Sequence, residues 1–293
     1  MRNWILILSA VLLSSVQAEE ITLTTSGLSL NANLEKAADW PLGPTLLLTH
    51  DTLSSNKNEL ITALQERFLE QGLSSLAINL SLGLDHRQGP YDCATPSTHR
   101  HTDAITEIGQ WVDWLKKQKV QQIVLLGHSR GGNQTARFIA AHDDPIIKQV
   151  ILVAPQTWTP GYATQSYEKS YHKPLAPILR KAQALIAQGK PDTPLQHTDF
   201  IDCKDTTVTA GAFASYYAAD PSMDTPYLLP TIRKPVLVFA ATEDQEVEGL
   251  DQILAPMAEA GMIELVVMEG ADHTFRDLYS EELVDRTLAF IGE

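Results

Sequence analysis

Three short segments carry residue types that could do chemistry together. Gly127-His128-Ser129-Arg130-Gly131 sets a hydroxyl between two glycines. Ala241-Thr242-Glu243-Asp244-Gln245-Glu246-Val247 holds three carboxylates, and Glu269-Gly270-Ala271-Asp272-His273-Thr274-Phe275 holds a late histidine. A serine hydroxyl is a weak nucleophile until a base takes its proton, and that base needs an acid to orient its ring. Together the three would attack a carbonyl and form an acyl intermediate, provided that the chain brings them into contact.

The elements around these segments are the ones that such contact requires. Ile123-Val124-Leu125-Leu126 is a continuous apolar run, the pattern of a strand buried on both faces, and a helix over Arg130 to Ala141 follows it. A sharp strand-to-helix elbow needs glycines on both sides, and it forces Ser129 into a strained conformation that exposes its hydroxyl. The helix start then aims the backbone N–H of Arg130, with the positive end of the helix dipole, at an oxyanion beside Ser129. Asp244 follows a strand at Pro235 to Ala240, and His273 follows the next strand, Ile263 to Met268. All three groups therefore lie just past C-terminal strand ends, the edge where open α/β sheets gather their ligands.

The rest of the chain alternates in the same way. Ile21 to Leu34 reads as an antiparallel hairpin broken at Ser26-Gly27, and Thr45 to Thr49 as a buried strand. Lys57 to Gln71 has a helical apolar stripe, Ser75 to Leu80 is a strand, and Asp103 to Lys119 is a helix. Lys148 to Ala154 is a further strand, Val247 to Ala260 a helix and Leu283 to Ile291 a closing helix. Strands alternating with helices predict an α/β fold with a mostly parallel central sheet covered on both faces. Residues from about 155 to 230 break the rhythm with Pro, Tyr, Thr and Asp, and carry one helical piece near Ile178 to Gln188. They read as a lid insertion over the C-terminal sheet edge, too irregular for an independent domain. Its Trp158, Tyr162, Tyr167, Tyr171, Phe213, Tyr216 and Tyr217 are candidates for an acyl pocket.

These segments together resemble the α/β-hydrolase superfamily, over most of the chain outside the lid. The resemblance implies the chain order Ser129, Asp244, His273 for nucleophile, acid and base. Asp244 is favoured over Glu243 and Glu246 because its segment is similar to a G-x-x-D-x-x-V pattern. In that family the loop after the third strand usually reads His-Gly-X, with the N–H of X completing the oxyanion hole. Here it reads His50-Asp51-Thr52, which makes Thr52 the second donor, with Leu53 as the fallback, and sets a carboxylate where glycine is usual. Asn79 to Asp92 with Cys93, and Ser129 to Gln134, resemble a group of exported bacterial hydrolases. The implied chemistry is two-step acyl transfer on a small-molecule acyl substrate, with no metal or organic cofactor.

The N-terminus has a basic start, Met1-Arg2-Asn3, an apolar run from Trp4 to Leu13, and Val16-Gln17-Ala18 before two acids. This is the pattern of a secretory signal peptide cleaved after Ala18, leaving 19–293 as one hydrolase domain in the periplasm or outside the cell. An uncleaved anchor is the alternative, but the run falls short of the ~20 apolar residues that span a bilayer. No stable membrane insertion is expected of the mature chain. Export would let the two cysteines, Cys93 and Cys203, pair, closing a loop of about 110 residues worth roughly 4–5 kcal/mol in the chain-entropy model. Two unrelated thiols is the other reading. The formal charge of −14 becomes one unit more negative without Arg2, and a field of that sign repels phosphate backbones, so no nucleic-acid partner is expected.

Other readings are weaker. His99-Arg100-His101-Thr102-Asp103 matches part of a dinuclear metal motif, but Ala104 stands where a further histidine is needed, and Asp103 suits the first turn of a helix. Asp85-His86-Arg87 could bind an anionic group, although a solvated loop is the better reading. Carboxylic esters lead as substrates. Peptidase, thioesterase and acyltransferase chemistry stay open because one triad serves them all, and a non-catalytic ligand-binding protein of the same fold is the rival class.

Overall fold

The computed structural model describes residues 18–25 and 27–292. Apart from Ala18, the expected leader lies outside them. Among the described residues no helix is long and apolar enough to cross a membrane.

The chain opens with a hairpin, β1 (Glu19–Thr24) against β2 (Ser29–Glu35), followed by β3 (Pro44–Thr49), α1 (Glu59–Glu70) and β4 (Ser74–Asn79). Next come α2 (Asp103–Lys117), β5 (Gln122–His128), α3 (Ser129–Ala141) and β6 (Ile147–Val153). An insertion then supplies α4 (Pro160–Tyr171), α5 (Leu175–Ala187), β7 (Pro194–Phe200), β8 (Cys203–Thr209), α6 (Ala210–Tyr217) and α7 (Thr225–Leu228). The sheet resumes with β9 (Val236–Ala241), α8 (Leu250–Glu259), β10 (Glu264–Met268) and α9 (Leu278–Gly292). Its order is β1-β2-β4-β3-β5-β6-β9-β10. The pairs from β4 to β10 are parallel, and β2 is antiparallel to both neighbours.

Strand alternation explains why helices cover both faces. Leu47, Ile123, Leu125, Val150 and Val238 point to one side, where they pack with Ile108, Trp111 and Leu115 of α2, Phe138 and Ile139 of α3, and Leu254 of α8. Leu46, Leu48, Val124, Leu126, Ile151 and Phe239 point to the other, against Ile61, Leu64 and Phe68 of α1 and Leu283, Val284 and Phe290 of α9. A one-residue slip in any central strand would exchange its two faces and break both layers, so the register is strongly fixed.

The insertion is more ordered than its sequence suggests. Besides α5 it holds three more helices and the antiparallel β7–β8 pair. It also has its own apolar cluster around Phe200, Phe213, Leu195, Val208 and Met223. The strand pair escapes a pattern reading because its register shifts twice, and His197, Ile201 and Asp205 have positive φ. Such irregularities interrupt the two-residue alternation by which a strand is recognised.

The loop between β4 and α2 is stitched to this insertion. The Sγ atoms of Cys93 and Cys203 are bonded across 110 residues of chain. Ser97 pairs with β8, donating from its N–H to Thr207 O at 2.8 Å and accepting from Thr209 N–H at 2.9 Å.

Candidate functional site

Parallel β3, β5, β9 and β10 end at one edge of the sheet, and the loops that follow them meet there. The elbow after β5 is sterically closed to any residue larger than glycine. A Cβ on Gly127 would lie 2.5 Å from Gly131 O, and one on Gly131 would lie 2.2 Å from His50 O. Ser129 between them has φ 55°, the left-handed region that a non-glycine residue enters only at a cost. That conformation turns its Oγ out of the sheet toward the loop after β10.

There the hydroxyl meets His273 Nε2 at 2.8 Å, while His273 Nδ1 lies 2.8 Å from Asp244 Oδ2. Asp244 Oδ1 accepts the backbone N–H groups of Glu246 at 2.8 Å and Val247 at 2.9 Å. Burial works against the Asp244 charge, but the bond from His273 and these backbone donors outweigh it and hold the pKa below the ordinary carboxylate value. An ionised carboxylate can only accept, so the proton between them sits on His273 Nδ1 and leaves Nε2 free to take the serine proton. The structure thus brings Ser129, Asp244 and His273 together, and among the described residues neither Glu243 nor Glu246 is hydrogen-bonded to the ring.

The surroundings fix this arrangement. His128 is buried and donates from Nε2 to His273 O at 2.9 Å, anchoring the loop from below. Arg130 and Thr52, the expected oxyanion residues, line the cleft beside Ser129. Their side chains also meet, Arg130 Nε donating to Thr52 Oγ1 at 3.1 Å. The Arg130 guanidinium lies 5.2 Å above the centre of the Tyr216 ring, and the Tyr216 hydroxyl is tied to His99 Nδ1 at 2.8 Å. The Asp51 carboxylate, which replaces the usual glycine, accepts from Asn58 Nδ2 at 2.6 Å, at the start of α1.

Above Ser129 and His273 opens a cleft of about 480 Å3. Six of the seven aromatic residues singled out in the insertion line it: Trp158, Tyr162, Tyr167, Tyr171, Tyr216 and Tyr217. The seventh, Phe213, is fully buried in the insertion's own core. Asp51, Asp202 and Glu246 bring carboxylates to the lining, and Arg130 is its single Lys or Arg.

One sequence reading turns out differently. Arg87, expected in a solvated loop, is buried and spends its donors on Leu80 O, Gly89 O, Asn79 Oδ1 and His50 Nε2. Asp85 instead accepts from Ser29 N–H at 2.6 Å, and His86 lies 3.3 Å from Glu20. His99 and His101 are structural, buried among Tyr91, Phe200 and Tyr216. Among the described residues no three His, Cys, Asp or Glu side chains are placed to hold a metal.

The buried histidines make stability depend on pH. Burial lowers His50 and His128 from an ordinary 6.5 to about 4 and His99 to about 3, and lowers His101 as well. The unfolded chain therefore binds more protons than the native one below about pH 6.5, so stability falls as pH drops from there toward 4. Glu107, raised to about 7 by burial, acts in the opposite sense, as do Glu35, Asp202 and Asp224, but of these acids only Glu107 is buried as the histidines are, and the histidines dominate. The melting temperature should fall by about 10 °C or more between pH 7 and pH 5. A flat profile in a thermal melt series would show that these rings are protonated in the native state.

Comparison with known proteins supports the same architecture. The family model described as "Alpha/beta hydrolase family" matches residues 26–286. No curated protein matches the chain. Among solved structures, Est1E from Butyrivibrio proteoclasticus with bound ferulic acid is similar, with 21% identity, a TM-score of 0.65 and coverage of 93% of this chain and 100% of that one. The Pyrococcus furiosus esterase Pf2001 is 16% identical with a TM-score of 0.63, covering 95% and 91%. An alpha-beta serine hydrolase homologue from Coxiella burnetii is 19% identical with a TM-score of 0.56, covering 94% and 100%. At such identities these likenesses speak to the fold, whereas the family match spans nearly the whole chain. With the sheet order and the elbow after β5, it establishes that this chain belongs to the alpha/beta hydrolase family.

Proposed function

We propose that the chain is a serine hydrolase that cleaves carboxylic esters through an acyl-enzyme. Ser129 attacks the carbonyl as His273 Nε2 takes its proton, and Asp244 holds the ring and balances the imidazolium. The N–H groups of Arg130 and Thr52 receive the oxyanion. His273 then protonates the leaving alcohol, and a water attacking through the same base frees the acid. The observation that carries this reading is the single imidazole bonded to both partners at 2.8 Å.

The cleft supports a small-molecule acyl substrate. Its volume suits a ligand of drug size. Its aromatic walls offer flat apolar surface with hydroxyls at the edge, which favours aryl or arylalkyl groups over long unbranched chains. The insertion serves as the lid that carries these walls. Tyr162 on α4 donates to Glu246 O at 3.0 Å, linking the insertion to the acid loop.

A panel of nitrophenyl esters graded by acyl size, run beside a thioester and peptide anilides, tests the substrate class. Ester turnover should exceed anilide turnover by at least about 10³-fold, with aromatic acyl groups ahead of octanoyl. Anilide cleavage at a comparable rate would favour the peptidase reading. Absence of any turnover in folded protein would favour a ligand-binding role.

We also infer that the chain is exported. The Cys93–Cys203 bridge suits an oxidising compartment. The mass of the mature protein, expected to begin at Glu19, tests this inference.

A further inference from the structure

A buried relay behind the oxyanion loop links β2 and β4 to one peptide of the site. His50 directly follows β3 and is 1% exposed. Its Nε2 receives two groups that can only donate, Leu80 N–H at 3.2 Å and the Arg87 guanidinium at 3.1 Å. Nε2 therefore carries no proton. Burial, with the Arg87 cation beside it, keeps the ring neutral by lowering its pKa to about 4. The ring hydrogen must then sit on Nδ1, which lies 2.8 Å from Asp51 O.

That hydrogen bond has a directional consequence. Among the described residues the only cis peptide is Trp40–Pro41, so the Asp51–Thr52 peptide is trans. In a trans peptide the C=O and the following N–H point in opposite directions. Holding Asp51 O against His50 therefore turns the Thr52 N–H away from the ring. Ser54 N–H reaches the same oxygen at 3.4 Å, closing a turn that leaves the peptide little freedom. Arg87 is itself locked, with Nε on Leu80 O at 2.7 Å and Nη2 on Asn79 Oδ1 at 2.6 Å. The Asn79 and Asn31 amides both donate back to Arg87 O.

We propose that Arg87 and His50 are positioning residues that fix the Thr52 N–H as the second oxyanion donor. Arg87, with the Leu80 N–H, sets the tautomer of His50, His50 sets the orientation of the 51–52 peptide, and that peptide meets charge only as the tetrahedral intermediate forms. This deepens the serine-hydrolase reading and rests on it.

The test compares three substitutions in the full mature chain. His50→Leu removes the donor, His50→Asn returns one near the position of Nδ1, and Arg87→Met removes one of the two donors to Nε2. His50→Leu should lower kcat on a nitrophenyl ester on the order of 10²-fold, the usual effect of losing one oxyanion donor, with KM within about threefold. Arg87→Met should lose roughly 10-fold, and His50→Asn should recover most of the rate. Independently of activity, nitrogen-15 NMR of the wild type should show His50 protonated on Nδ1 alone, and Arg87→Met, which leaves only the Leu80 N–H on Nε2, should weaken that preference without reversing it. A proton on Nε2 in the wild type overturns the proposal. So does a His50→Asn as slow as His50→Leu, or a loss expressed in KM alone. If Arg87→Met does not fold, the two His50 variants and the wild-type spectrum still decide the matter. Failure of the wild type to turn over any ester would instead count against Ser129, and the tautomer spectrum would then decide the relay.

Discussion

Ser129→Ala should lower ester turnover on the order of 10⁴–10⁶-fold while leaving the fold intact. The size of the loss follows from what the hydroxyl does. Among the described residues its only side-chain hydrogen-bond partner is His273, so nothing in the core depends on it. Without it a covalent acyl-enzyme cannot form, and only the oxyanion donors and substrate binding remain to assist a direct attack by water. Stability should move by less than about 1 kcal/mol, because one partly buried hydroxyl contributes little. Steady-state kinetics on an activated ester, with a thermal melt as the folding control, measures both quantities. A variant that keeps more than a tenth of the wild-type rate would remove Ser129 from the mechanism.

The second large effect concerns the acid. Asp244→Asn should cost on the order of 10⁴-fold in kcat, whereas Glu246→Gln should stay within about threefold of wild type. The asymmetry comes from the backbone. Asp244 Oδ1 is already occupied by the N–H groups of Glu246 and Val247, which an amide can satisfy only with its oxygen. An asparagine is therefore forced to present its NH₂ to His273 Nδ1. The ring must then accept at Nδ1 and carry its proton on Nε2, where it cannot take the one on Ser129. The Glu246 side chain makes no such contact, since its links to the site run through its backbone N–H and C=O. If Glu246→Gln suffers the larger loss, the acid has been misassigned.

Much of this is legible in the amino-acid sequence. The buried strands announce themselves as uninterrupted apolar runs, and the covering helices as stripes such as Ile108, Trp111 and Leu115. The elbow glycines could be read because a single steric demand, no room for a Cβ, leaves one residue type possible. Asp244 and His273 could be placed because each follows a strong strand signal within a few residues.

What escaped has physical reasons too. The burial of Arg87 leaves no local trace, because the groups that neutralise its cost are His50, Asn79 and carbonyls of a loop with no repeating pattern. The β7–β8 pair is polar and irregular, so neither alternation nor apolar length marks it. The choice between a Cys93–Cys203 bond and two separate thiols, left open by the sequence, depends on where a long loop lands. A carboxylate at position 51 would repel an oxyanion unless it turned away, and its interaction with Asn58 is visible only in three dimensions.

The most direct test of the central claim is labelling with a fluorophosphonate, which traps an activated serine as a stable phosphonyl adduct, followed by peptide mapping by mass spectrometry. The account predicts one adduct per chain, on the peptide bearing Ser129, absent from Ser129→Ala and slowed at least about 10³-fold in Asp244→Asn. A folded wild-type protein that takes no label, or that takes it elsewhere while ester hydrolysis continues, would contradict it.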